Sequence, residues 1–142
     1  NTPIYLDYKT HAEKGSMYNT PPCYTIYVAG EVFKYLLANG GIPAMHEKDV
    51  RKAQKIYDYL DSSELFKGTV AKEDRSLMNI PFVTGDPDLD KEFIAGAKER
   101  NMINLKGHRI AGGMRASVYN AFPEEGVDAL IEYMKEFEAA HK

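Results

Sequence analysis

Cysteine is almost missing from this chain: Cys23 stands alone, which excludes an internal disulfide framework and a multi-cysteine zinc site and suits a reducing compartment such as the cytoplasm. No apolar run approaches the roughly 20 residues that a membrane-spanning helix needs. A strong charge of either sign is also lacking. The formal net charge of -3 gives no overall pull toward nucleic acid or anionic lipid, so any anion site must come from a local cluster of basic groups. His11, His46 and His141 are scattered with no second ligand at metal spacing, and no metal site is assigned. The N-terminus carries neither a secretory signal nor an arginine-rich transit segment, and its start at Asn1 fits processing as well as excision from a longer chain. With 142 residues and 44% hydrophobic content, the chain is long enough for one core but short for an enzyme with a large cofactor cleft.

What is present divides into periodic segments. Residues 1–17 show no sustained period and read as a connecting segment. After Pro21 and Pro22, the apolar stretch Tyr24–Leu37 predicts a helix ending at Asn39, Gly40 and Gly41. It is apolar on most sides, as for a helix covered by more than one neighbour, and suggests packing against a second copy or something outside this chain. Cys23, at its start, reads as a small buried side chain. A second helix is expected over Met45–Leu60, with Val50, Ala53, Ile56, Tyr57 and Leu60 on one face and charged residues on the other. Ser76–Val83 alternates as a strand, and Pro81 predicts an edge or bulge. Asp86 and Pro87 open a third helix that closes near Arg100 and Asn101. Met102–Leu105 and Arg115–Tyr119 read as two more strands, and Pro123 starts a last helix with Val127, Leu130, Ile131, Met134 and Phe137 inward. The expected order is α-α-β-α-β-β-α: an α/β fold with helices covering one face of a small, mostly antiparallel sheet.

Two segments could carry chemistry. In GHRIAGGMRAS, Gly107–Ser117, a glycine-containing turn brings His108, Arg109 and Arg115 close together. Two arginines and a histidine suit a small molecule with two anionic ends, because guanidinium pairs with carboxylate or phosphate through paired hydrogen bonds. The plain alternative is a set of solvated hairpin charges. Arg115 heads a strand, where a lone charge is expected to have a partner. In SMYNTPP, Ser16–Pro22, Asn19 and Thr20 precede a proline-started helix whose free N–H groups attract anions. Thr20 acting as a simple helix cap is the alternative there. Lys106 reads as a solvated neighbour of the basic turn, and Glu124, Glu125 and Asp128 as helix-start carboxylates.

Taken together, SMYNTPP at Ser16–Pro22, RSLMNIPF at Arg75–Phe82, LKGHRIAGGMRASVYNA at Leu105–Ala121 and EGVDAL at Glu125–Leu130 resemble the phosphoserine aminotransferases, matching about the last two-fifths of such an enzyme. The resemblance implies a homodimeric, pyridoxal-phosphate-dependent enzyme of aspartate-aminotransferase fold that moves the amino group of glutamate to 3-phosphohydroxypyruvate in serine biosynthesis. Some bacterial members also act on a phosphorylated hydroxythreonine in pyridoxine biosynthesis. It implies that Arg115 holds the substrate α-carboxylate, that His108 and Arg109 help bind the substrate phosphate, and that Asn19 and Thr20 reach the cofactor phosphate of the partner subunit. It also implies a division into 1–40, the end of the large cofactor-binding domain with its connecting helix, and 41–142, the small C-terminal domain. The family's cofactor-anchoring lysine falls upstream of the matching region, and neither Lys9 nor Lys14 corresponds to it. The chain by itself is therefore expected to hold no catalytic residue and to be inactive. A non-catalytic binding module for a small dianionic metabolite is the alternative from the same cluster of cations.

Overall fold

The structure is a computed structural model and describes residues 2–141. The chain divides into two compact units, one ending at Gly41 and one starting at Ile42. The division falls where Gly40 and Gly41 have φ of 90° and 71°, a left-handed pair that glycine adopts without a Cβ clash.

The first unit holds a short 3-10 turn, Ile4–Leu6, and two helices, α1 (Tyr8–Glu13) and α2 (Cys23–Ala38). The turn and α1 arise in a segment with no readable period. Asp7 caps α1 by accepting from the Lys9 N–H, and His11 is held between the rings of Tyr5 and Tyr18. α2 differs from expectation in its surroundings. None of its residues is buried; Tyr24, Tyr27, Phe33 and Leu37 are 62–80% exposed, and Cys23 is exposed as well. Its apolar surface exceeds what these residues cover.

The second unit runs α3 (Gly41–Ser62), β1 (Lys67–Gly68), β2 (Asn79–Val83), α4 (Pro87–Glu99), β3 (Met114–Ser117) and α5 (Glu124–Ala140). The sheet has the order β1-β2-β3 and is antiparallel throughout, with Asn79 opposite Ser117 and Phe82 opposite Met114. Ile80 and Phe82 of β2 and Met114 and Ala116 of β3 point into one core with Ile56 and Leu60 of α3, Phe93 of α4 and Phe137 of α5. Phe66 completes it, its ring edge-on to Phe93 at 5.0 Å. Each fully buried ring of this kind contributes about 1.5–3 kcal/mol. The alternate residues Asn79, Pro81, Arg115 and Ser117 are half-buried on the opposite face.

Four expectations are corrected. β2 starts three residues late, because the Ser76 hydroxyl accepts from the Met78 and Asn79 N–H groups and holds a turn there. Pro81 sits in the central strand, not at an edge. Its carbonyl accepts from Thr69, so its missing N–H falls on the β1 side, where pairing is only two residues long. Met102–Leu105 forms no strand, because Asn104 has φ of 65° and turns the chain; only Lys106 bridges to Met114. On α3, Val50 is 37% exposed while Asp49 and Lys52 are buried, so the inward stripe carries an ion pair.

Candidate functional site

The hairpin before β3 is closed by backbone bonds from Gly107 to Gly113 and from Gly112 to His108, and by Arg115 donating to Leu105. A side chain at Gly107 would strike the Gly112 and Gly113 carbonyls, so the two arms touch backbone to backbone. His108 and Arg109 are exposed on the turn, where His108 Nδ1 accepts from the Ile110 N–H. Neither has an ion-pair partner among the described residues.

Arg115 lies in β3 opposite Pro81, on the sheet face away from the core. Its Nε is buried and has no hydrogen-bond partner. The contrast with Arg75 is informative. The Arg75 Nε is also unpaired, but both its terminal nitrogens bind Asp61 and its plane lies 4.4 Å over the Tyr57 ring. Asp61 is held well below the usual carboxylate range by Arg75 first and Lys72 second. Arg75 has its anion in this chain, whereas no carboxylate among the described residues pairs with Arg115. A buried guanidinium N–H without an acceptor costs free energy unless a ligand or water meets it.

Beside Arg115 opens a cavity of about 500 Å³ between the segment after α4, β3 and the start of α5, lined by Arg100, Ser117, Tyr119 and Phe122 among others. His108 and Arg109 lie outside it. Thus the hairpin joins the three cations in sequence and backbone, but Arg115 is half-buried in β3 among the residues that line the cavity, whereas the other two are exposed. Asn79, absent from the sequence expectations, braces this face: its Oδ1 accepts from Ser117 Oγ at 3.0 Å and from Tyr119 OH at 3.2 Å. The signal for it was its place on the outward side of the β2 alternation. Lys52 was also missed, although Asp49, Lys52, Ala53, Ile56, Tyr57 and Leu60 repeat at helical spacing.

Asn19 and Thr20 are exposed and have no side-chain hydrogen bond among the described residues. Thr20 does not cap α2; Pro22 holds that position and supplies no side-chain bond. The first N–H groups of α2 are therefore left without a side-chain acceptor, next to two free side-chain donors. That donor set suits a phosphate.

The chain belongs to the class-V aminotransferases: residues 1–130 match the family described as aminotransferase class-V. Within that class it is similar to phosphoserine aminotransferases. The one from Lactiplantibacillus plantarum is 54% identical over 142 residues, covering 100% of this chain and 40% of the relative. The solved phosphoserine aminotransferase from Bacillus circulans subsp. alkalophilus shares 39% identity at a TM-score of 0.92, over 99% of this chain and 39% of that one. The pyridoxal-phosphate-bound enzyme from Trichomonas vaginalis shares 41% identity at a TM-score of 0.84, over 94% of this chain and 39% of that one. The chain spans about 40% of the length of the relatives it matches. Its α/β architecture is accordingly part of the phosphoserine aminotransferase fold.

Proposed function

We propose that this chain is the C-terminal, substrate-binding part of a phosphoserine aminotransferase. The activity is transfer of an amino group between glutamate and 3-phosphohydroxypyruvate, giving phosphoserine and 2-oxoglutarate. The observation that carries the reading is the half-buried Arg115, whose Nε is buried without an acceptor, which has no ion-pair partner among the described residues, and which lines a cavity. Both the amino donor and the product carry an α-carboxylate, and Arg115 binds it through paired hydrogen bonds. His108 and Arg109, on the solvent side of the same hairpin, take the distal phosphate.

Pyridoxal phosphate, when bound, supplies the electron sink that amino transfer needs. In this chain, Asn19 and Thr20 donate to its phosphate beside the N-terminus of α2. A homodimer, in which each chain reaches the cofactor of its partner, would cover the apolar surface of α2. Residues up to about 40 then belong with the large domain and those from 41 form the small domain. No residue of this chain bonds the cofactor covalently, so its role is to bind and orient.

The test is turnover of glutamate with 3-phosphohydroxypyruvate, with added cofactor, by this chain alone and by the complete polypeptide that contains it. The proposal expects none from the first and steady turnover from the second. Turnover by the chain alone would contradict it. Tight binding of phosphoserine by a complete polypeptide that turns nothing over would favour a metabolite-binding module.

A further inference from the structure

Lys52 is fully buried on the inward face of α3, and its ammonium ends among main-chain oxygens. Nζ donates to the carbonyls of Tyr119 at 2.7 Å and Val118 at 3.1 Å, with those of Phe122 and Asn120 at 3.4 and 3.5 Å. Asp49 Oδ1 lies 3.0 Å away, and it accepts no hydrogen bond, so it acts as a counter-charge. An ammonium has three hydrogens, and here they serve a cage of carbonyls much as a bound monovalent cation would.

Those carbonyls belong to the connection between β3 and α5, where the Tyr119 carbonyl also accepts from the Phe122 N–H at 2.8 Å and so closes a turn. A buried charge is costly, and a connection this short could be organised by apolar packing alone. The placement shows what the charge organises. Arg115 lies three residues before Val118, Ser117 and Tyr119 are tied to Asn79, and Arg115, Ser117, Tyr119 and Phe122 all line the same cavity. One cation from the inner side of the sheet thus holds the turn from which the cavity wall hangs.

We propose that Lys52 is a positioning residue for the carboxylate site: its buried ammonium fixes the β3–α5 connection and thereby holds Arg115, Ser117 and Tyr119 in binding geometry. This rests on the aminotransferase reading of that site. Lys52 touches no substrate and acts only through the main chain.

The experiment uses the complete polypeptide with two variants. Asp49→Leu/Lys52→Met removes both charges, so that neither is left buried alone. Lys52→Arg keeps the charge but replaces a point donor by a planar fork that cannot meet the same carbonyls. Both are expected to fold. Each should raise KM for glutamate on the order of tenfold to a hundredfold, with a smaller change in kcat, as misplaced binding groups do. Hydrogen exchange supplies a readout without turnover, since the Val118 and Phe122 amides are bonded to Met78 and Tyr119. In the double variant these amides should exchange at least about tenfold faster while those of α4 are unchanged.

Wild-type KM together with wild-type exchange in both variants would overturn the proposal. So would failure of both to fold, or a lower melting temperature with unaltered KM, because each makes Lys52 a stability residue only. If the unsubstituted polypeptide shows no turnover, the aminotransferase reading fails, and the exchange contrast alone decides whether Lys52 orders the connection.

Discussion

Glu138 on α5 accepts a 2.7 Å hydrogen bond from the hydroxyl of Tyr59 on α3, joining the last helix to the first helix of the second unit. Ser63 Oγ donates to the same carboxylate oxygen at 2.7 Å, and the Glu64 and Leu65 N–H groups donate to the other. The carboxylate thereby closes the C-terminal end of α3 and starts the turn into β1. Burial works to raise its pKa, but these donors outweigh burial and bring it down to about 2 from 4.5.

A pH dependence follows from that shift. The folded pKa lies below the unfolded one, so the stabilisation is fully present above about 4.5 and is lost as pH falls toward about 2. Glu138→Gln should lower stability at pH 7 and flatten the loss of stability between pH 5 and 2. Leaving the donors without a carboxylate costs about 1–3 kcal/mol. Urea titrations of both proteins across that range check it; parallel pH profiles would remove Glu138 from the account.

Gly113 has φ of 61°, and a Cβ there would lie 2.5 Å from Val83 Cγ1 and 2.8 Å from the Phe82 carbonyl oxygen. Gly113→Ala combines left-handed strain of roughly 1–2 kcal/mol with a clash against β2. The expected result is a lower melting temperature and loss of the hairpin geometry that presents His108 and Arg109. Thermal unfolding within a degree of the wild type would contradict it.

Gly96 on α4 faces Tyr133, whose ring stacks on Phe93 at 4.7 Å and whose hydroxyl donates to the Phe93 carbonyl at 3.0 Å. A methyl group at Gly96 would occupy the place of that hydroxyl, so Gly96→Ala must displace a ring held on two sides. Overpacking of this kind costs about 1–3 kcal/mol. The combination Gly96→Ala with Tyr133→Phe should recover part of the loss, which a double-mutant cycle in urea measures.

The legible parts of the fold were those in which one local rule sufficed. Asp86 and Pro87 announced α4, and Asp86 does cap it by accepting from Asp88. Arg115 read as the head of a strand, and it does lie in β3, one residue after its start. The hidden parts were those where two rules compete. Lys52 lies on an apolar stripe but is a lysine, and only its carbonyl cage explains its burial. Met102–Leu105 has strand-like composition, yet Asn104 adopts a left-handed conformation that composition does not announce. Val50 shows the reverse, an apolar residue at stripe spacing that stays partly exposed. In the site, residue types pointed to an anion, whereas the separation of Arg115 from His108 and Arg109 needed the register of the hairpin.

The most direct test of the account separates the two anion sites in the complete polypeptide. Amino transfer is measured with phosphoserine, which carries a phosphate, and with alanine, which has only the α-carboxylate. Arg115→Ala should lower kcat/KM for both, on the order of a hundredfold for loss of a paired, charge-assisted contact. Arg109→Ala should lower kcat/KM for phosphoserine and leave alanine within a few-fold of the wild type. Equal losses with both substrates from Arg109→Ala, or no loss from Arg115→Ala, would contradict the assignment of this hairpin.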